Sequence, residues 1–259
     1  MILILFLWFT PWVFILNFGF LIYFPYEPNG SDRFIRTTGP LSSLYSKEWI
    51  SSQNIPSFCK QAVVAAEDEK FYTHNGIDIE SIRSTLKSNS KNKKKRQRGA
   101  STITQQLVKN AFLSRDKNYL RKAREIEGAI LLDILLSKDL QLTWYLNIIE
   151  FGNNIYGIQN AALYYFKKEA RYLSPSQCLS LALIIPSPKK WNKSLINKNF
   201  TPFFIQRYFV ILNHLNNMNI SNSQDLKLAQ KVNLWPNQNS FPQIQSTAPS
   251  NEEDEIEEN

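Results

Sequence analysis

The chain has 259 residues, of which 43% are hydrophobic and 20% charged, with a formal net charge of +8. This length and composition allow one or two domains with a sizeable core and exclude a wholly disordered chain. Six of its 22 acids fall in the last eight residues, so the preceding body sets 16 acids against 30 bases, a charge of +14. A body that basic suits an anionic partner: nucleic acid, anionic lipid or a phosphorylated substrate.

Cys59 and Cys178 are too few and too far apart for a metal site or a disulfide framework. They are expected as buried thiols in helices, with a single disulfide between them as the rival reading. His74 and His214 are the only histidines, which excludes a multi-histidine metal site.

Residues Ile2 to Phe24 carry no charged side chain. A helix of that length, rising about 1.5 Å per residue, spans a hydrocarbon core of roughly 30 Å. Residues 1–25 therefore read as a transmembrane anchor, with Trp8, Trp12, Tyr23 and Tyr26 as interfacial residues. A cleaved signal peptide fits less well, since no basic stretch precedes the run and no small-residue cleavage site follows it. Arg33 and Arg36 weakly favour a cytoplasmic body, but long domains cross membranes regardless of such charges, so residue chemistry leaves the side open.

Residues 26–52 form a polar connector. A folded domain is expected over 53–220, followed by a C-terminal extension over 221–259 whose acidic tail is expected to be disordered from about residue 236. Within the domain, helical periodicity begins at Pro56 and is expected to run to Gly76, a natural residue just past a helix end. Asp78 caps a short helix through Ile82 and Leu86. Lys87 to Arg98 holds seven Lys or Arg and no apolar residue, and reads as a solvated mobile loop, with contact to lipid headgroups as the alternative.

Further helices are expected over Ser101–Leu113, with Thr102 and Gln105 in capping-box spacing, Tyr119–Leu136, Leu140–Ile149 and Gly157–Lys167. Another starts at Ser174-Pro175, and a last one covers Pro202 to about Asn217. No alternating strand pattern appears, so the fold class is all-α or nearly so.

Three clusters concentrate polar chemistry. In AAEDEKFYTHNG, Glu67, Phe71 and His74 sit at i, i+4 and i+7 and would share a helical face. An aromatic ring beside a carboxylate excludes water and raises its pKa, which suits a general base. In RGASTITQQLVKN, a glycine opens a helix whose free amide groups could cradle an anion, with Lys109 two turns on. In RKAREIE, Arg121 and Glu125 are i, i+4 neighbours. A surface salt bridge is the plain reading there; a carboxylate held ionised among phosphate-facing cations is the functional one.

These stretches resemble the motifs of the family 51 glycosyltransferases, the peptidoglycan polymerases. EDEKFYTHNG is similar to the first motif, RGASTITQQLVKN to the second and RKAREIE to the third. SKDLQLTWYLNIIEFGNNIYGIQNAALYYF and LSPSQCLSLALIIPSPKKWN resemble the fourth and fifth. The ordered set spans about Trp49 to Asn192, and a short anchor followed directly by this domain resembles the monofunctional biosynthetic transglycosylases.

The resemblance implies a lysozyme-like, all-α domain behind one transmembrane helix, at the bacterial cytoplasmic (inner) membrane with its catalytic part on the periplasmic or extracytoplasmic side. It implies polymerisation of lipid II with release of undecaprenyl pyrophosphate. Glu67 matches the catalytic base and Glu125 the second catalytic carboxylate. Asp68, Phe71, His74, Gly76, Gly99, Ser101, Thr102, Gln105, Gln106, Lys109, Asn110, Lys117, Arg121, Lys122, Tyr145 and Asn147 match substrate-binding positions. No cofactor is implied as obligatory; a divalent cation, Mg or Mn, is compatible with the pyrophosphate, and no residue is assigned to a metal. Partners implied are lipid II, the growing glycan strand, membrane lipid and other cell-wall synthesis proteins, with no nucleic acid.

Three departures stand out: Lys117 where relatives often carry Arg, Thr143 where Glu is frequent, and Lys167 where Gly is usual. Ser187 to Lys190 is a chance S-x-x-K with no K-T-G or K-S-G to accompany it. The competing readings are a glycan-cleaving lysozyme-like enzyme and an inactive membrane-anchored scaffold. The cations Lys109 and Arg121 argue against the first, because glycan cleavage has no pyrophosphate to bind. A nucleic-acid binder lacks aromatics interleaved with its charge.

Overall fold

The structure, a computed structural model, describes residues 49–91, 101–113 and 119–235, with side chains for all of these but 86–91. The apolar run at 2–24, most of the connector, Gly99, Lys117 and the acidic tail lie outside the described residues. Among those described, no helix is long and apolar enough to cross a membrane.

Eleven α-helices, two short 3-10 helices (Ser52–Asn54 and Ala170–Tyr172) and one hairpin are formed by the described residues. Helix α1 (Ser57–Glu67) turns Phe58, Cys59, Ala62, Val63, Val64 and Ala65 inward. It packs chiefly on α7 (Pro175–Ile184) and α10 (Pro202–Met218). In α7 every residue from Ser176 to Ile184 is buried, as expected for a helix whose apolar surface runs all the way round. Pro at its first position and a reciprocal Ser174–Gln177 capping box start α7 where the sequence indicates.

Cys59 and Cys178 are joined by a disulfide, their Cα atoms 4.5 Å apart. This corrects the expectation of two free thiols. They face each other where α1 crosses α7, a proximity made by tertiary packing between residues 119 apart in sequence.

A second layer is formed by α2 (Ile79–Lys91), α3 (Ile103–Phe112), α4 (Tyr119–Leu135) and α5 (Lys138–Ile148). Helix α3 is held between α4 and α5. Asp78 caps α2 as expected, accepting from the backbone N–H of Ser81 at 2.9 Å and from its hydroxyl at 2.6 Å. Helix α2 runs to Lys91, five residues into the basic segment read as a loop. Lysine propagates a helix readily, and KSNSK contains no Gly or Pro to stop it.

The all-α or nearly all-α expectation holds for the described residues apart from a small antiparallel hairpin, β1 (Glu150–Gly152) and β2 (Ile155–Tyr156), pairing Glu150 with Tyr156 and Gly152 with Ile155. Strands this short leave no alternation to detect. The hairpin leads into α6 (Ile158–Phe166) through Gly157 at φ +80°, where a Cβ would stand 2.6 Å from the carbonyl oxygen of Asn147. Only glycine suits both demands.

After the short helices α8 (Pro188–Trp191) and α9 (Lys193–Ile196), α10 leads to α11 (Ser223–Gln230), which packs on α7. Three hydrogen bonds fix this last segment: Gln177 Nε2 to the Leu234 carbonyl at 2.6 Å, Tyr208 Oη to that of Ala229 at 2.8 Å, and Trp235 Nε1 to that of Tyr165 at 3.2 Å. Ala229, Val232 and Leu234 are buried, so residues 221–235 close the core.

Candidate active site

The site is built where α1 ends. The helix stops at Glu67, not near Gly76, because the Asp68 backbone (φ −163°, ψ 76°) leaves the helical region. Glu67, Phe71 and His74 therefore do not share a helical face; turns bring them together. The Phe71 N–H donates to the Asp68 carbonyl at 2.9 Å, and the His74 N–H to that of Lys70 at 3.1 Å.

What pulls Asp68 out of the helix is its own carboxylate. Asp68 Oδ2 accepts from His74 Nε2 at 2.9 Å and from the backbone N–H of Ile103, in the first turn of α3, at 2.9 Å. The loop is thereby tied to the positive end of a second helix. Phe71 is fully buried, with the Lys138 ammonium 4.8 Å from its ring centre. Lys138 also donates to the His74 carbonyl at 2.8 Å and pairs with Asp133 at 2.5 Å. The loop ends at Gly76, φ +78°, where a Cβ would come within 2.3 Å of the Ala129 carbonyl oxygen on α4.

Helix α3 carries the second group. Thr102 and Gln105 form the expected capping box, and the Thr102 hydroxyl donates to the Gly76 carbonyl at 2.6 Å. Both are buried, so they hold the loop and do not face an open cleft. Gln106 is the residue that reaches the carboxylate. Its Nε2 donates to Glu67 Oε2 at 2.8 Å, while its Oε1 accepts from the Tyr145 hydroxyl at 2.9 Å. Glu67 Oε1 is buried with no hydrogen-bond partner. Burial pushes the Glu67 carboxyl up to about 7, against the opposing effects of the Gln106 hydrogen bond and the charges of Arg207 and Lys109.

On α4, Glu125 is 2% exposed and meets two cations. Arg121 Nη1 donates to Oε2 at 2.9 Å, and the Lys122 ammonium binds Oε1 while also donating to the Ser101 hydroxyl at 3.1 Å. Lys109 keeps contact with solvent beside this group. Desolvation by the surrounding walls lowers its ammonium pKa; Glu125 and Glu67 oppose that, while Arg121 and Lys122 add to it. Lys109 thus lies within the electrostatic reach of both carboxylates. The Asn110 side-chain nitrogen is buried without a partner.

Tyr145 and Asn147 sit differently from the expectation for substrate contacts. Tyr145 is fully buried behind Gln106. Asn147 is engaged with the backbone, donating to the carbonyls of Ile50 and Thr143 and accepting from the Ile50 N–H, all at 2.9 Å. Thr143 is buried with its hydroxyl on the Asp139 carbonyl at 2.8 Å. Arg207, on α10, was not singled out in the sequence. Its guanidinium stacks 4.7 Å from the Trp191 ring centre and its charge acts on Glu67. A basic residue on an amphipathic helix about 140 residues beyond Glu67 gives no local signal.

A carboxylate poised near neutrality and a second one paired with two cations both act on Lys109, an arrangement that suits group transfer with an anionic leaving group. The family model described as Transglycosylase matches residues 34–216, a span that includes every residue of this arrangement. The chain belongs to the transglycosylase family.

Its relatives include three proteins named "Biosynthetic peptidoglycan transglycosylase". The one from Shewanella frigidimarina is 43% identical over 162 residues, 62% of this chain and 69% of the relative. That from Mannheimia succiniciproducens is 45% identical over 141 residues, 54% and 57% of the two chains. That from Shewanella denitrificans is 38% identical over 202 residues, 77% and 86%. The matched stretch thus covers less than two thirds of the Mannheimia relative and most of the second Shewanella one.

Proposed function

We propose that the chain is a peptidoglycan glycosyltransferase that polymerises lipid II into glycan strands, releasing undecaprenyl pyrophosphate with inversion at the anomeric carbon. The observation that carries this reading is the pair Glu67 and Glu125, one carboxyl poised near pH 7 and the other paired with Arg121 and Lys122, with Lys109 in electrostatic reach of both.

In the proposed step Glu67 takes the proton of the acceptor sugar's 4-hydroxyl. The oxygen forms a bond to the donor's anomeric carbon as the bond from that carbon to the pyrophosphate oxygen breaks. The pyrophosphate leaves with the electron pair, and Lys109, Arg121 and Lys122 meet the charge that develops on it. Glu125 positions Arg121 and Lys122. Gln106 and the unpartnered Oε1 leave one lone-pair face of Glu67 for the acceptor hydroxyl.

The reading takes the helical domain as lysozyme-like, with its two carboxylates supplied by separate helices, Glu67 at the end of α1 and Glu125 on α4. Among the described residues no group of three or more metal-ligating side chains gathers. A divalent cation, Mg or Mn, would be held by the substrate's pyrophosphate oxygens together with one or two carboxylates, the way Mg is commonly bound.

The Cys59–Cys178 disulfide supports a catalytic domain outside the cytoplasm, where disulfides persist. That agrees with an anchored protein at the bacterial inner membrane, working on lipid II and the growing strand beside membrane lipid and other cell-wall synthesis proteins.

The test supplies labelled lipid II to the detergent-solubilised full chain. Glycan polymer from wild type and none from Glu67→Gln is the expected result. Equal polymer from both removes Glu67 as the base, and release of fragments from finished glycan favours a cleaving enzyme.

A further inference from the structure

We infer that Tyr145 is a positioning residue that fixes the amide orientation of Gln106 and thereby sets how readily Glu67 accepts a proton. The inference rests on Glu67 as the base and adds a residue that touches no substrate.

A primary amide presents two different faces, a carbonyl acceptor and an NH2 donor. Between Tyr145 and Glu67 the Gln106 amide can lie either way round, and the two arrangements are not equivalent. In the one observed, the Tyr145 hydroxyl donates to Oε1 at 2.9 Å and Nε2 donates to Glu67 Oε2 at 2.8 Å. This arrangement favours ionised Glu67, the form that accepts a proton. Turned over, the amide would set its carbonyl against Glu67, which then has to be protonated to donate to it. The same turn would aim the NH2 group at a phenol that must itself donate elsewhere.

Tyr145 makes the turned arrangement costly. It is fully buried, and its hydroxyl donates to Gln106 alone among the described residues. Burial, with the negative charges of Glu67 and Asp68 nearby, raises the phenol well above its ordinary value, so it stays a donor at any working pH. An unanswered buried hydroxyl is expensive, and that cost holds the chain of bonds in one direction.

The other charged groups acting on Glu67 are Asp68 beside it, Lys109 from α3 and Arg207 from α10. Each exerts the same field whichever way the amide lies. The directional element is Tyr145.

The experiment measures kcat/KM for lipid II polymerisation against pH in the full chain, for wild type, Tyr145→Phe, Gln106→Met and the double variant. The acidic limb is expected to move upward by about half to one pH unit in Tyr145→Phe and in Gln106→Met. The double variant should move no further than Gln106→Met, because Tyr145 acts only through that amide. A limb that stays in place in Tyr145→Phe while it moves in Gln106→Met overturns the inference.

A second readout is free of turnover: titration of the Glu67 carboxyl by carbon-13 NMR in glutamate-labelled protein, assigned with Glu67→Gln. If Glu67→Gln still polymerises, the base reading falls, and this titration alone decides whether Tyr145 governs the carboxyl. Should Tyr145→Phe fold poorly, an unmoved titration in Gln106→Met overturns the inference from the other end of the same bond.

Discussion

Asp68 and His74 are locked together across the turn that ends α1, Oδ2 to Nε2 at 2.9 Å, and the same oxygen receives the backbone N–H of Ile103. One carboxylate oxygen thus joins the loop after Glu67 to the start of α3, the helix that carries Gln106. Asp68→Ala leaves both donors without a partner in a buried setting, at a cost of about 1–3 kcal/mol for each such group. Loosening that junction moves Glu67 relative to Gln106, and misplacement of that order lowers kcat about a hundredfold. Urea unfolding and lipid II turnover check the two effects; wild-type values for both would dissolve the proposed role. Asp68→Asn, which keeps one acceptor oxygen, should cost less than Asp68→Ala.

Glu67 should weaken the fold as pH rises. Its carboxyl ordinarily titrates at 4.5 and is raised to about 7 by burial. Between those values the folded chain holds a proton that the unfolded chain has released, so stability falls as pH rises through this window. The full effect is at most about 3 kcal/mol, complete above roughly pH 7 and absent below about pH 4.5. Glu67→Gln should therefore gain stability over wild type at pH 8 and show little difference at pH 4. Denaturation midpoints at the two pH values decide it, and a difference that does not change with pH would contradict the burial of this group.

Local signals were legible in the sequence and non-local ones were not. The Thr102–Gln105 and Ser174–Gln177 capping boxes, the Asp78 cap and the ends of α4 and α10 follow from residues within a turn of one another. The end of α1 was misplaced because Phe71 and His74 keep helical spacing while the backbone turns away at Asp68, drawn by a partner 35 residues on. The disulfide, the position of Arg207 near Glu67 and the buried setting of Tyr145 likewise depend on contacts between distant segments. Of the expected site residues, Glu67, Gln106, Lys109, Arg121, Lys122 and Glu125 come together. Thr102, Gln105 and Asn147 serve to hold backbone, a distinction that residue type alone does not carry.

The disulfide gives a prediction independent of catalysis. Cys59 lies on α1, whose last residue is Glu67, and Cys178 on the buried helix α7. Restricting the unfolded chain between residues so far apart contributes about 2–4 kcal/mol. Reduction, or the Cys59→Ser/Cys178→Ser pair, should lower the denaturation midpoint accordingly. Reductant should leave the double variant unchanged. A wild-type midpoint that ignores reductant would show that the bridge does not restrain the fold.

Lys167 closes α6 in the left-handed conformation, at φ 57° and ψ 34°. A side chain there costs roughly 1–2 kcal/mol, whereas glycine adopts it freely. Lys167→Gly is expected to raise stability by about 1 kcal/mol with turnover unchanged, offset in part by the greater freedom of glycine in the unfolded chain. A thermal melt is sufficient, and a lower melting temperature would mean that the contact of Lys167 with the Tyr164 ring, 5.7 Å from its centre, matters more than the backbone.

Glu125→Gln separates the two readings of the third cluster. The carboxylate is buried, and its loss leaves Arg121 (side chain 17% exposed) and Lys122 (41% exposed) facing a neutral amide. Removing one partner of a buried ion pair costs about 3–5 kcal/mol, and the exposure of Lys122 brings the expected figure to the low end of that range. If Glu125 holds the cations where pyrophosphate leaves, kcat falls by more than the loss of folded protein accounts for. Both cations would then be free to shift away from the developing charge. Turnover per folded molecule equal to wild type would instead make this carboxylate a structural salt bridge, leaving Lys109 as the residue that meets the leaving group.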